Sequence, residues 1–70
     1  MKSLNVNGVE RRFSGEAVPT TLSELLKQLD VEAAVAVVEI DGVIVRREDF
    51  ARTQLADGQS IELVRFVGGG

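Results

Sequence analysis

The sequence lacks four of the residue types on which much of protein site chemistry depends. Histidine, cysteine, tryptophan and tyrosine are all absent from its 70 residues. Without cysteine or histidine there is no disulfide, no thiol nucleophile and none of the usual zinc, copper or iron–sulfur sites. Histidine is also the commonest acid–base group near neutral pH. We therefore expect a protein that is not an enzyme, with no catalytic residues and no metal or cofactor of its own.

Positive charge and long apolar runs are also scarce. The formal net charge is −3, whereas nucleic-acid binding needs a basic face. The basic doublets Arg11-Arg12 and Arg46-Arg47 have acidic neighbours, which indicates solvated surface charge. No stretch reaches the roughly 20 apolar residues of a membrane span, and the N-terminus has no hydrophobic signal core. We expect a cytoplasmic protein that binds neither nucleic acid nor membrane and is monomeric when free.

Five segments have the alternation or the β-branched composition of strands. They are residues 3–6, 9–13, 33–40, 43–45 and 60–67. Asn7-Gly8 and Asp41-Gly42 each join two of these segments and suit type I′ turns, so two β-hairpins are predicted. The run 33–40 has few polar residues, which indicates a central strand covered at least partly on both faces.

One helix is predicted between the two hairpins. Thr21-Leu22-Ser23-Glu24 matches the capping box, with Thr21 as the N-cap residue. An apolar stripe with helical spacing follows, made of Leu22, Leu25, Leu26 and Leu29. The order of elements predicts an α+β domain over residues 1–67, with a mixed sheet of four to five strands and the helix on one face. The first and last strands are the natural central neighbours in such a sheet.

The chain closes with Gly68-Gly69-Gly70, a flexible segment that contributes no side-chain packing. Because glycine has no Cβ, Gly68 and Gly69 suit passage through a narrow channel in a partner. The carboxylate of Gly70 has an ordinary pKa near 3.5 and is unreactive until activated. Adenylation from ATP and attack by a sulfur nucleophile would convert it to a thiocarboxylate. The alternative is a frayed end or a cloning remnant.

The last strand leaves two alternatives open. If Ile61 and Leu63 face the core, strict alternation turns Val64 and Phe66 to the other side. Either a bulge shifts the phase near Val64, or these two residues form an apolar patch beside the tail. In the second case the patch is expected to hold a partner while the tail enters its site.

The sequence resembles the ThiS-type sulfur carriers of thiamine biosynthesis, a ubiquitin-like β-grasp family that ends in Gly-Gly. Four segments carry the resemblance: Leu4–Val9, Thr21–Leu26, Val37–Phe50 and Leu55–Val64. Two positions depart from the family pattern. Asp41-Gly42 stands where Asn-Gly is common, and Arg46-Arg47 stands where the family often has proline next to arginine.

The resemblance implies a specific reaction sequence. A ThiF-type enzyme would use ATP and magnesium to adenylate Gly70. A cysteine desulfurase or another donor would supply sulfur, and a ThiG-type thiazole synthase would take that sulfur into the thiazole ring. Phe66 and Val67 would lie at the docking surface, where Arg65 would add a charge contact or remain solvated. The docking residues predicted by pattern and resemblance together are Val64, Arg65, Phe66 and Val67.

Three other classes remain open from sequence. The small subunit of molybdopterin synthase, and relatives that supply sulfur to cysteine or to transfer RNA, share the fold and the terminal thiocarboxylate. A ubiquitin-like modifier would be joined through Gly70 to lysines of its targets. A plain β-grasp interaction module would need no free terminus.

Overall fold

The computed structural model describes residues 1–65. Its strands are β1 (Lys2–Val6), β2 (Val9–Phe13), β3 (Ala36–Ile40), β4 (Val43–Val45) and β5 (Ser60–Arg65). The helix α1 spans Leu22–Gln28, and short 3₁₀ segments cover Gly15–Ala17, Ala33–Val35 and Arg47–Arg52. The predictions made for residues 66–70 fall outside this described part of the chain.

The strands form one mixed sheet in the order β2-β1-β5-β3-β4. The β1–β5 pair is parallel, with Val6 opposite Ile61, and the other pairs are antiparallel. The first and last strands are therefore neighbours in the middle of the sheet, as predicted. Two hairpins that flank a single helix on one face of such a sheet make the β-grasp fold.

Both hairpin turns have the backbone geometry that their sequences predict. Asn7 and Gly8 have φ angles of 51° and 83°, and Asp41 and Gly42 have 49° and 84°. Two successive positive φ values suit the type I′ turn, which glycine, asparagine and aspartate tolerate best. The turns fix the register of each hairpin, because their flanking residues pair directly.

The helix begins with the predicted capping box. The Thr21 Oγ1 atom accepts a hydrogen bond from the Glu24 backbone N–H at 3.3 Å, and the Glu24 carboxylate accepts from the Thr21 N–H at 3.1 Å. The Glu24 carboxylate also accepts from the Thr20 N–H. These bonds satisfy backbone donors that have no partner within the helix. No helix in residues 1–65 is long and apolar enough to cross a membrane.

The capping box predicts a pH-dependent contribution to stability. Hydrogen bonds from the backbone N–H groups of Thr20 and Thr21 lower the pKa of Glu24 below its usual range. A lowered pKa stabilises the fold at pH values above the unfolded-state pKa, and that stabilisation is lost as the pH falls through the folded-state pKa. We expect Glu24→Gln, which keeps an acceptor but no charge, to be less stable than wild type at pH 7.

Urea unfolding at pH 7 and at pH 3 tests this expectation. The difference in unfolding free energy between wild type and Glu24→Gln should shrink once the pH is below about 4.5. An equal difference at both pH values would contradict a contribution from the ionised carboxylate.

The core lies between α1 and one face of the sheet. Its buried members are Leu4, Val6, Leu22, Leu25, Leu26, Val38, Ile40, Phe50, Leu55 and Ile61. The predicted leucine stripe of the helix supplies three of them, and Leu29 packs half-buried at its end. Phe50 and Leu55 bring the segment after β4 onto the same core.

The prediction of a strand over residues 33–40, covered at least partly on both faces, was wrong about where the strand begins. The strand begins only at Ala36, because residues 33–35 form a 3₁₀ turn in which the Val35 N–H donates to the Glu32 carbonyl. Alanine is a poor strand former, so Ala33 and Ala34 do not oppose this turn. The partial cover of the second face is as predicted, because Val37, which faces away from α1, is 37% exposed and Glu39 on the same face is half-buried.

Candidate functional site

The last strand, β5, leads from the centre of the sheet towards the glycine segment. Its pairing with β3 runs without interruption from Ile61 opposite Ile40 to Arg65 opposite Ala36. There is therefore no bulge near Val64, and the alternation of side chains continues to Arg65. Ile61 is buried, Leu63 is half-buried on the same face, and Val64 is 54% exposed on the other. The structure therefore excludes the bulge and shows Val64 as an apolar residue that faces outward.

The side chain of Asn7 holds β5 where its neighbour β1 has already ended. Asn7 Nδ2 donates to the Leu63 carbonyl at 3.0 Å, and the Leu63 N–H donates to Asn7 Oδ1 at 2.7 Å. The Asn7 backbone N–H also donates to the Ile61 carbonyl at 2.9 Å. The amide thus satisfies both backbone groups of Leu63 as a paired strand would. Sequence reasoning assigned Asn7 only to its turn, because nothing in the sequence shows which strand its side chain meets.

The outer face of the sheet, defined as the face opposite α1, carries an apolar cluster near the end of β5. Val37 and Val64 stand directly opposite each other on β3 and β5. Ile44 on the edge strand β4 is 67% exposed and lies on the same face. Only Val64 was predicted from the sequence. The run Val43–Val45 was a missed indication, because three apolar residues in one strand cannot all face the core.

Arg65 lies on the other face of β5, the side of the helix. It is exposed and lines an open groove of about 320 Å³ together with Asn7, Arg11 and Leu63. Arg65 and Val64 therefore point to opposite faces of the sheet, and no single flat surface presents both of them. The structure thus separates two residues that the sequence analysis had grouped as docking residues.

The remaining predicted site residues lie outside the described part of the chain. These are the docking residues Phe66 and Val67, the threading residues Gly68 and Gly69, and the attachment residue Gly70. Within residues 1–65, no three acidic side chains lie close enough together to hold a metal ion. What the described residues offer is a rigid strand end beside an apolar surface, which suits binding to another protein.

Comparison with known proteins places this architecture in one family. The ThiS family profile matches residues 4–70. The sulfur carrier protein ThiS of Bacillus subtilis is 31% identical over 67 residues, which cover 96% of this chain and 98% of that protein. A crystal structure of the thiamine biosynthesis protein ThiS from Geobacter metallireducens superimposes with a TM-score of 0.79 at 36% identity. That match covers 97% of this chain and 99% of the other.

A second kind of relative is much longer. A thiazole synthase from Paramagnetospirillum magneticum is 37% identical over 67 residues, but this chain spans only 20% of that protein's length.

The solution structure of the Geobacter protein also superimposes, with a TM-score of 0.77. With a profile match over residues 4–70 and relatives matched over nearly their whole length, the chain belongs to the ThiS family.

Proposed function

We propose that this chain is a sulfur carrier for thiamine biosynthesis and that its working group is the carboxylate of Gly70. The observation that carries the proposal is the family match, which extends through the glycine segment to Gly70. The geometry supports it, because β5 is paired with β3 without interruption as far as Arg65, three positions before Gly68 in the sequence. The chain acts as a co-substrate of partner enzymes rather than as an enzyme, and the steps take place in the cytoplasm, where ATP is available.

The chemistry begins at an unreactive group. An ionised carboxylate is a poor electrophile, so a ThiF-type enzyme with ATP and magnesium must activate it first. An oxygen of the Gly70 carboxylate attacks the α-phosphorus of ATP and pyrophosphate leaves, which gives an acyl adenylate. Hydrosulfide then attacks the carbonyl carbon; it comes from another donor, or from the persulfide of a cysteine desulfurase after two thiols have reduced that persulfide and become a disulfide. AMP leaves, and Gly70 carries a thiocarboxylate whose sulfur is a good nucleophile.

We further propose a ThiG-type thiazole synthase as the enzyme that receives the sulfur, for incorporation into the thiazole ring. Support comes from the Paramagnetospirillum magneticum protein named thiazole synthase, part of which resembles this chain. A chain that holds both segments keeps carrier and acceptor at a high effective concentration.

Replacing Gly69 with alanine tests whether the tail threads through a narrow channel. The added Cβ would displace the Gly70 carboxylate in the activating enzyme, and a displacement of about 1 Å can cost on the order of 100-fold in rate. We expect Gly69→Ala to lower kcat/KM for the carrier by roughly that factor in ATP–pyrophosphate exchange catalysed by the ThiF-type enzyme.

The thermal unfolding midpoint should not change in this variant, since the substituted residue lies beyond β5. Wild-type exchange kinetics in Gly69→Ala would rule out the channel. Failure of the wild-type chain to support any exchange with an active enzyme would contradict the proposed function itself.

A further inference from the structure

The side chain of Asn7 stands where the backbone of β1 has left β5. The pairing of these two strands ends with Val6 opposite Ile61, whereas β5 continues to Arg65. Backbone groups of successive residues in a strand point alternately to its two neighbours. Those of Leu63 point to the β1 side, where the Asn7 amide donates to the carbonyl at 3.0 Å and accepts from the N–H at 2.7 Å. Without this amide, the end of β5 would be held from the side of β3 alone.

A second turn residue holds the other end of the same strand. Asp41 is the first central residue of its turn, as Asn7 is of the other, and their φ angles are 49° and 51°. The Asp41 carboxylate accepts a hydrogen bond from the Ser60 N–H at 2.9 Å, and the Asp41 N–H donates to the Ser60 carbonyl at 2.8 Å. The strand β5 is thus fixed at its start by Asp41 and towards its end by Asn7. Of these two contacts, only the one with Asn7 lies at the end that leads to the glycine segment.

The chemistry of each contact matches the residue that makes it. A positive φ at this turn position is tolerated best by glycine, asparagine and aspartate. Asp41 needs only to accept, because its own backbone N–H already satisfies the Ser60 carbonyl. At position 7 the backbone N–H bonds to Ile61 instead, so the side chain must both donate to Leu63 and accept from it. Of the three residues that suit the turn, asparagine alone carries a donor and an acceptor.

We propose that Asn7 is a positioning residue for the carrier reaction, because it fixes the strand end from which residues 66–70 deliver the Gly70 carboxylate. The inference rests on the proposed function and adds to it a residue that is distant from Gly70 in sequence. Residues 66–70 span at most about 18 Å when fully extended, so the active site that receives Gly70 lies within that distance of Arg65. A loose strand end spreads the carboxylate over more positions and has to be ordered before the reaction, at a cost in conformational entropy.

Amide hydrogen exchange of the free protein tests whether Asn7 holds the strand end. The variant Asn7→Gly keeps the turn, because glycine adopts positive φ readily, and removes the amide. Rates are compared with that of the Leu26 amide in the core of α1, which reports opening of the whole domain. We expect the Val64 amide, which lies opposite β3, to exchange about tenfold faster relative to Leu26, as for the loss of one or two exposed hydrogen bonds. An unchanged ratio would show that β3 alone holds the strand end and would overturn the proposal.

ATP–pyrophosphate exchange with the ThiF-type enzyme tests whether this fixation matters to the reaction. We expect Asn7→Gly to lower kcat for the carrier about tenfold with KM unchanged, because the placement of the carboxylate is affected and the contact between the proteins is not. The matched control is Asp41→Gly, which loses a side-chain hydrogen bond to the same strand from the same kind of turn. This control should lose a similar amount of stability in urea unfolding and keep the wild-type kcat.

The pair of variants separates positioning from stability. Equal losses of kcat in Asn7→Gly and Asp41→Gly would show a general effect of stability and contradict the proposal, and so would a wild-type kcat in Asn7→Gly. A raised KM with unchanged kcat would mean that Asn7 contacts the enzyme directly, which also excludes a positioning role. A wild-type chain that supports no exchange at all contradicts the proposed function, whereas the Val64 amide still decides whether Asn7 fixes the strand end.

Discussion

A chain extended by one alanine after Gly70 is expected to lose sulfur transfer completely while folding normally. The extra residue moves the terminal carboxylate by about 3.3–3.6 Å and places a Cβ at the reacting end. Activation requires that the carboxylate oxygen lie close to the α-phosphorus of ATP, and reacting atoms must be within about 3–3.5 Å. A displacement of that size removes the reaction geometry, so neither adenylate nor thiocarboxylate should form.

Transfer is measured as thiocarboxylate formed with the activating enzyme, the sulfur donor and ATP. The matched control is an alanine added before Met1, which lengthens the chain equally at the opposite terminus and should leave transfer unchanged. Normal transfer in the Gly70-extended chain would exclude a carrier that works through Gly70. If the chain binds its partners but neither wild type nor either extended chain forms a thiocarboxylate, an interaction module that needs no free terminus is favoured.

Leu25→Ala is expected to destabilise the domain by about 2–5 kcal/mol. Leu25 lies on the sheet-facing side of α1 and has no exposed surface. Removing its side chain loses the transfer free energy of the buried atoms and leaves a cavity that the surrounding leucines fill only in part. Small domains have unfolding free energies near or below the lower end of about 5–15 kcal/mol, so a large share of the stability is lost.

Urea unfolding at pH 7 measures the change, with equal m-values as the sign that the unfolded state is unaltered. The control is Ile44→Ala, which also truncates an aliphatic side chain but at a position that is 67% exposed. This substitution should cost no more than about 1 kcal/mol, the span of strand propensities, because little buried apolar surface is lost. Equal effects of the two substitutions would mean that the core does not lie between α1 and the sheet.

Local chemistry explains why much of the fold was predictable from the sequence. The Asn7-Gly8 and Asp41-Gly42 turns have the positive φ angles that their residues favour, and the capping box of α1 forms as its residues predict. Each of these features depends on residues within a few positions of one another. The order of elements also led us to expect β1 and β5 as neighbours in the middle of the sheet, which they are.

Features that depend on distant residues were not predictable in the same way. The apolar character of residues 33–40 did not reveal that residues 33–35 form a 3₁₀ turn or that Val37 pairs with Val64. Ile44 entered the site only once the register was known. The bonds from Asn7 to Leu63 join residues 56 positions apart, and no local pattern reveals them.

The candidate site shows the same division. The chemistry of Gly70 followed from the glycine segment and the family resemblance, whereas the surface beside it required the sheet. Alternation along β5 separated Val64 from Arg65, and cross-strand pairing supplied Val37 from a different strand. Which residues share a surface of the sheet depends on the register between its strands, and the sequence of a single strand does not contain that information.

The most direct test of the carrier function is high-resolution mass spectrometry of the C-terminal peptide. The chain is produced together with its activating enzyme and sulfur donor, and the peptide that contains Gly70 is isolated. Replacement of oxygen by sulfur has nearly the same mass shift as oxidation of Met1, so the shift must be localised to that peptide. We predict sulfur in place of one carboxylate oxygen of Gly70. An unmodified Gly70, with both partner enzymes shown to be active, or Gly70 joined to lysines of other proteins, would contradict a sulfur carrier.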